Sequence, residues 1–354
     1  MKILRLYTRL PPMSGGMENH IAHLTREQLN FGHEVTIYFN LGSKVSENDV
    51  KVSHIPISKI KPQFIGVLIY YFLTCLRLIF IQQKFDLVHI HGDWSSLVFS
   101  RFIKKIVRAK KLCITIHDEL SSHKLSKKAL SVLIKNVDII FVTGYAAADQ
   151  LKKITNKKII IQPSGVNNIF FNSYERIFNL RPFKIIIASS LVKKKNLGLV
   201  LDIAKDLPLF SFLIVGDGPE KKHLEERIKY EKIENINMLG FKSATELYYL
   251  YYEADIFLIT SLKEGTPTAM LEAMACGLPI ITSGAGGVIN ILKDKNCIVD
   301  TNNKDSYINC ILELVNDETR MRKISVNNGK LSRSFSWKNV AKNIETYIVE
   351  DLYQ

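Results

Sequence analysis

"KEGTPTAMLEAMACGLPI", residues 263–280, sets two glutamates, Glu264 and Glu272, eight positions apart across a helix start. Thr266 followed by Pro267 predicts an N-cap and a first-turn proline. Gly277 and Pro279 predict the stop, so the helix should run to about Cys276. The first-turn N–H groups of Thr268, Ala269 and Met270 then face outward, where a phosphate binds readily. Glu272 lies roughly 8 Å along the helix axis, and Glu264 lies beyond the other side of the start. Two carboxylates would repel a phosphate between them unless each accepts hydrogen bonds from neutral donors. Sugar hydroxyls are such donors, and their bonds to a carboxylate are charge-assisted. A sugar, a diphosphate and a ribose in sequence satisfy the whole set, so the ligand implied is a nucleotide-sugar. A capped surface helix whose acids complement its dipole would leave the Gly265–Thr268 loop and the acid in "AMLEAMA" unexplained.

Around this stretch the chain alternates strand, loop and helix, which predicts parallel sheets covered by helices on both faces. "KILRLY", "EVTIYF", "DLVHIH" (86–91), "LCITIH" (112–117), "DIIFVT" (138–143) and "KIIIQPSGV" read as one sheet. "KIIIAS" (184–189), "SFLIVGDGP" (211–219), "INMLGF" (236–241), "DIFLIT" and "PIITS" read as a second, with "NNIFFNSYERIFNLRPF" between them as a linker. The expectation is an α/β chain of twin Rossmann-like domains, 1–170 with 338–354 and 171–337, facing a central cleft. Ligands of such sheets bind at the carboxyl ends of strands.

At 354 residues and 47% apolar composition, the chain is long enough for two cores. Five cysteines, scattered and without metal-ligand spacing, point to a reduced, cytoplasmic setting in which they serve as small core residues. "MKILRLY" lacks the apolar core of a signal peptide. "GVLIYYFLTCLRLIFI" (66–81) is short of the roughly 20 residues a spanning helix needs and is interrupted by Arg77, so it predicts a buried or interfacial helix. Charge is uneven. Residues 1–170 carry 24 Lys+Arg against 11 Asp+Glu, while the remainder carries 24 against 23. One half therefore suits an anionic surface. "RFIKKIVRAKK" (101–111) and "KLSKKALSVLIKN" (124–136) interleave basic and apolar residues, a pattern that fits an anionic bilayer. No aromatic-and-basic RNA motif or helix-turn-helix stands out, so nucleic acid is not an expected partner.

The opening stretch, continued as "SLKEGTPTAMLEAMACGLPIITSGAGG", resembles the E-x7-E signature of retaining GT-B glycosyltransferases, family 4. "PPMSGGMENHIAHLTREQLNFGHEVTI", "FDLVHIHG", "PSGVN", "VGDGPEKKHLEE" and "FSWKNVAKNIETYI" are similar, in order, to further segments of that family. The resemblance implies a GT-B fold whose C-terminal helix crosses back to the N-terminal domain. It implies transfer of a sugar from a nucleotide diphosphate to an acceptor hydroxyl, with retention and without a metal. It places Gly15 and Gly16 against the donor diphosphate, and His91 where it contacts the transferred sugar or helps arrange the acceptor; His117, at the end of "ITIH", is a candidate to line the acceptor side. It places Lys195 and the helix end at Gly265, Thr266, Thr268 and Ala269 on the diphosphate. Glu264 is assigned to sugar hydroxyls, Glu272 to the ribose, and Gly216 and Phe241 to the base.

His89, two residues before His91, lies deeper on the same strand face and reads as core. "SSLVKKKN" departs from the family's "GRLvpxKG": Ser190 stands at the arginine and Asn196 at the second glycine. Lys193 or Lys194 could replace that charge, without arginine's bidentate fork, or could be surface lysines. "GAGG" (284–287) is no dinucleotide fingerprint, because Ile289 takes the third glycine position. Asn290 stands where the family often has glutamate. The expected setting is cytoplasmic, peripheral on a membrane, with a lipid-linked or glycan acceptor. A nucleotide-sugar epimerase or hydrolase on the same fold is the alternative.

Overall fold

The computed structural model describes the chain except residues 10–15, 43–49, 58–62, 118–126, 172–175, 177, 179–181, 293–296, 301–302 and 354. It divides into two compact units, Met1–Gly165 with Trp337–Gln354, and Val166–Ser336.

The first unit runs β1 (Lys2–Leu6), α1 (Gly16–Asn30), β2 (Glu34–Phe39), β3 (Lys51–His54), α2 (Gln63–Ile81) and β4 (Leu87–His91). It continues through α3 (Ser100–Ile106), β5 (Lys111–Ile116), α4 (Lys127–Ile134), β6 (Ile139–Val142), α5 (Tyr145–Lys152) and β7 (Ile159–Ile161). The strands form one parallel sheet in the order β3-β2-β1-β4-β5-β6-β7. Its central strands are buried along their length, as near-continuous apolar runs require in a sheet covered on both faces. The edge strand β3 has no counterpart in the sequence reading, because "KVSH" is short and mostly polar.

The second unit holds β8 (Lys184–Ala188), α6 (Leu197–Asp206), β9 (Ser211–Val215), α7 (Lys221–Tyr230), β10 (Ile236–Gly240) and α8 (Ala244–Glu253). After these come β11 (Ile256–Ile259), α9 (Thr268–Ala275), β12 (Ile280–Thr282), α10 (Val288–Ile291), α11 (Lys304–Val315) and α12 (Glu318–Ser332). Its five strands are parallel, in the order β10-β9-β8-β11-β12. The segment expected as a linker belongs to this unit. Phe170 and Phe178 are in its cores, and the buried Arg176 guanidinium donates to the carbonyls of Tyr251, Tyr252, Ala254 and Cys276.

The last helix, α13 (Trp337–Tyr353), returns to the first unit. Val340, Ala341, Ile344 and Ile348 form one helical stripe and share a core with Ile21 and Leu24 of α1. His33 Nε2 meets Glu345 at 2.7 Å. A side chain at Gly165 would collide with the Trp337 ring, its Cβ coming within 2.4 Å, so "PSGVN" is shaped to seat α13.

α2 is longer than expected, at 19 residues. Phe64–Ile81 is the one stretch among the described residues long and apolar enough, by length and composition, to cross a membrane. Tyr70, Tyr71, Cys75 and Leu78 nevertheless bury one side of it in the first unit's core.

Candidate functional site

In the second unit the motif loop leaves β11 and is pinned before it reaches the helix. Thr260 donates to the carbonyls of Lys195 and Asn196 at 3.0 and 3.2 Å, and Leu262 N–H donates to the Lys194 carbonyl at 2.8 Å. These bonds bring together two stretches far apart in the chain, and Lys195 Nζ meets Glu264 Oε1 at 2.5 Å. Both side chains are largely enclosed, Lys195 13% and Glu264 8% exposed. The same Oε1 accepts from Ser261 Oγ at 2.6 Å. With Oε1 taken twice, Oε2 is the oxygen left for a ligand.

Asn196 adopts φ +51°, the left-handed region that glycine tolerates best and asparagine next. Its replacement of the family glycine therefore preserves the turn. Ser190, Lys193 and Lys194 are all solvent-accessible.

The helix start differs from expectation by one residue. Thr268 is its first residue, Pro267 occupies the N-cap position, and Thr266 precedes both without capping. Thr266 Oγ1 is enclosed with no hydrogen-bond partner. The reason is local: proline has no N–H and its ψ of 114° is extended, so the helical run begins after it. Met270 N–H also differs, bonding the Pro267 carbonyl at 3.2 Å. Thr268 and Ala269 remain as the outward-facing first-turn N–H groups. Gly265 is exposed, and a Cβ there would meet nothing, so its backbone stands open to close approach.

Glu272 follows one turn on. No cation or hydrogen bond meets its carboxylate among the described residues, and loss of solvation pushes its pKa up to about 8. Tyr251, fully buried on α8, donates its hydroxyl to the Ala269 carbonyl at 3.3 Å. Burial first, and then the Glu272 charge, drive its pKa well up. The "GAGG" stretch, unassigned by sequence, buttresses the motif loop. Gly287 N–H donates to the Gly265 carbonyl at 2.9 Å. Gly286 has φ +66°, and a Cβ there would fall 1.8 Å from the Glu264 carbonyl oxygen. Gly216, at φ +136°, presses equally close to Ser189. Phe241 is 72% exposed at the end of β10. Asp255 accepts from Lys184 N–H at 2.8 Å, which is a structural role.

In the first unit, Gly15 lies outside the described residues and Gly16 is the first residue of α1. His91 ends β4 almost fully buried, stacked on His89 with centroids 4.1 Å apart, and its Nδ1 is 3.2 Å from His117 Nε2. His89 is fully buried, with Nε2 2.8 Å from Thr115 Oγ1, as its core reading predicts. His20 of α1, missed by sequence reasoning, joins the pair, its ring centroid 4.7 Å from that of His117. Only the proximity of "ENHIAHL" to the Gly-Gly turn hinted at it. Burial pushes His117 down to about 4 and holds His20 and His91 well below the ordinary histidine value, with neighbouring imidazoles and Arg5 adding to the effect. The rings are thus uncharged at neutral pH and offer lone pairs rather than positive charge.

A family model described as "Glycosyl transferases group 1" matches residues 171–331, and one described as "Glycosyltransferase Family 4" matches residues 14–168. A phosphatidylinositol N-acetylglucosaminyltransferase subunit of Arabidopsis thaliana is 25% identical, over 98% of this chain and 81% of its own length. Alpha-monoglucosyldiacylglycerol synthase of Acholeplasma laidlawii is 24% identical, over 96% and 94%. The fold matches that of Anabaena Alr3699/HepE, solved in complex with UDP and glucose, with a TM-score of 0.77 at 18% identity over 99% of this chain and 100% of that one.

Proposed function

Because this chain belongs to the group 1, family 4 glycosyltransferases and has their GT-B fold, we propose that it moves a sugar from a nucleotide diphosphate to the hydroxyl of a lipid-linked acceptor, with retention at the anomeric carbon. The observation that carries the donor reading is Glu272, a half-buried carboxylate with no protein partner among the described residues, one turn inside a helix whose first N–H groups are open. A ribose diol donating to that carboxylate would replace its lost water, while the diphosphate meets the Thr268 and Ala269 N–H groups.

Leaving-group stabilisation dominates such a reaction, whose transition state resembles an oxocarbenium ion. The α9 N-terminus and Lys195 supply it. Glu264 holds sugar hydroxyls through Oε2, while Ser261 and Lys195 hold Oε1. In the first unit, the resemblance assigns His91 to the transferred sugar or the acceptor, and the glycines before α1 to the diphosphate. No step in this scheme calls for a metal ion.

The lipid reading draws on the relatives, whose names specify phosphatidylinositol and a diacylglycerol glycolipid, and on the outer side of α2. Ile65, Phe72, Leu76, Ile79 and Phe80 are all exposed, and at 100° per residue they fall within roughly 100° of the helix circumference. Packed beside them, α3 adds Phe102, 52% exposed, near Arg101 and Lys105. An apolar stripe rimmed by basic residues suits the interface of an anionic bilayer.

Thermal-shift titration with UDP-, GDP- and ADP-sugars tests the donor. One nucleotide class should stabilise the wild-type protein and not Glu272→Ala. Equal stabilisation of both would overturn the assignment.

A further inference from the structure

We infer that His20, His91 and His117 form a site for a borderline transition-metal ion such as Zn2+. Each offers one ring nitrogen, and the three nitrogens lie within 4.8 Å of one another. They come from three separate elements, the α1 face, the end of β4 and the residue after β5, so the sheet and helix fix their spacing in advance. His91 Nδ1 and His117 Nε2 are 3.2 Å apart. One of the two rings donates this contact as a hydrogen bond; tetrahedral zinc with metal–nitrogen bonds of about 2.0–2.1 Å has ligand–ligand edges of about 3.3–3.4 Å, so an ion can take the place of the shared proton with little movement of the pair.

His20 supplies the second observation. Its Nδ1 is 3.0 Å from Ser164 Oγ, while its Nε2 is enclosed with no partner on a ring that is fully buried. A ring that donates Nδ1–H to an oxygen presents its Nε2 lone pair, which is the arrangement metal-ligating histidines adopt. Ser164 thus acts as a positioning residue for His20. The Thr143 hydroxyl donates to the His117 backbone carbonyl at 3.0 Å and steadies the third ligand. An all-imidazole set selects zinc, copper or nickel over magnesium and calcium, which take oxygen ligands. Three protein ligands leave a fourth position for water or a hydroxyl.

The inference concerns metal binding alone, and its test reads the metal directly, whether or not the transfer reading holds. The full chain, stripped with a chelator, is titrated with Zn2+ by calorimetry and with Co2+ by visible absorption. One equivalent should bind, with the intense absorption of tetrahedral Co2+. His20→Gln and His117→Gln, checked for native circular dichroism, should abolish that equivalent, and His223→Gln in the second unit should keep it. Ser164→Ala retains all three rings and should weaken Zn2+ binding about 10- to 100-fold. Binding no tighter in the wild type than in the His20→Gln/His117→Gln double variant would overturn the site. An unchanged affinity in Ser164→Ala would overturn the orientation of His20 on which it depends.

Discussion

Glu272 links proton and ligand. A carboxyl held at about 8 binds its proton more tightly in the folded chain than in the unfolded one. Its contribution to stability is therefore complete below the ordinary carboxylate range and is lost as the pH rises toward 8. Glu272→Gln should escape that loss, so its melting temperature should gain on the wild type between about pH 5 and pH 8 and gain no further above. Melting curves across that range check the sign, and parallel curves would contradict it. Hydroxyls donating to the carboxylate favour its ionised form, so nucleotide binding should release a proton below pH 8. Calorimetry in buffers of different ionisation enthalpy reads that release, which should vanish in Glu272→Gln. Lys195 and Glu264 belong to the same scale. In the proposed scheme, Lys195→Ala removes a cation from the leaving group, and the loss of one such stabilising group typically costs about 100- to 1,000-fold in turnover. Glu264→Gln keeps the shape and should also cut transfer severely, with circular dichroism unchanged. Wild-type turnover in either variant would remove these residues from the site. The placement of both glutamates about a helix start was legible in the sequence, because that spacing is a local pattern. The pairing of Lys195 with Glu264 was not, since it depends on two strands lying side by side.

Helices and loops set how well those residues are held. The motif loop is braced from behind by Gly286, whose positive φ and closeness to the Glu264 carbonyl leave no room for a side chain. Gly286→Ala must push the loop forward or twist its own backbone. Such strain costs roughly 1–3 kcal/mol, so we expect a lower melting temperature together with a larger loss of nucleotide affinity than of stability. Nucleotide titration beside thermal melting separates the two, and unaltered affinity would show that the loop does not depend on this brace. The Gly-rich run carries no ligand fingerprint because its glycines answer to a neighbouring loop, a contact no spacing rule encodes. Arg176 escaped the sequence reading for a similar reason. A lone arginine in an irregular segment looks solvated, yet its guanidinium donates to four backbone carbonyls. The one-residue slip at the start of α9 came from placing Pro267 inside the helix, where first-turn proline is common, rather than at its cap. Regular strands fared better: all five of the second unit were legible, since buried parallel strands are plain apolar runs.

For the whole molecule the charge imbalance is the governing quantity, and it has a mechanical outlet in the first unit. A basic half alone would attract anionic lipid weakly and reversibly, by about 1 kcal/mol for each lysine or arginine near the surface, and salt would screen it. The exposed stripe on α2 changes the expectation, because apolar side chains that enter the interface add a term salt does not screen. Phe72 and Phe80 are 49% and 85% exposed. Burying a phenylalanine gains about 1.5–3 kcal/mol, so each should contribute roughly tenfold to partitioning. The wild-type chain should sediment with vesicles containing phosphatidylserine or phosphatidylglycerol and much less with phosphatidylcholine alone. Phe72→Ser with Phe80→Ser should lower that partitioning about a hundredfold and leave the residual binding fully salt-sensitive. Arg101→Gln with Lys105→Gln should instead reduce the preference for anionic lipid while part of the salt-insensitive binding survives. The stripe side is solvent-facing and the core side holds Tyr70, Tyr71, Cys75 and Leu78, so the phenylalanine changes should spare the melting temperature. A wild-type chain that stays in the supernatant with anionic vesicles at low salt would detach the charge excess from any membrane. Loss of sedimentation accompanied by unfolding would instead assign the stripe to the fold.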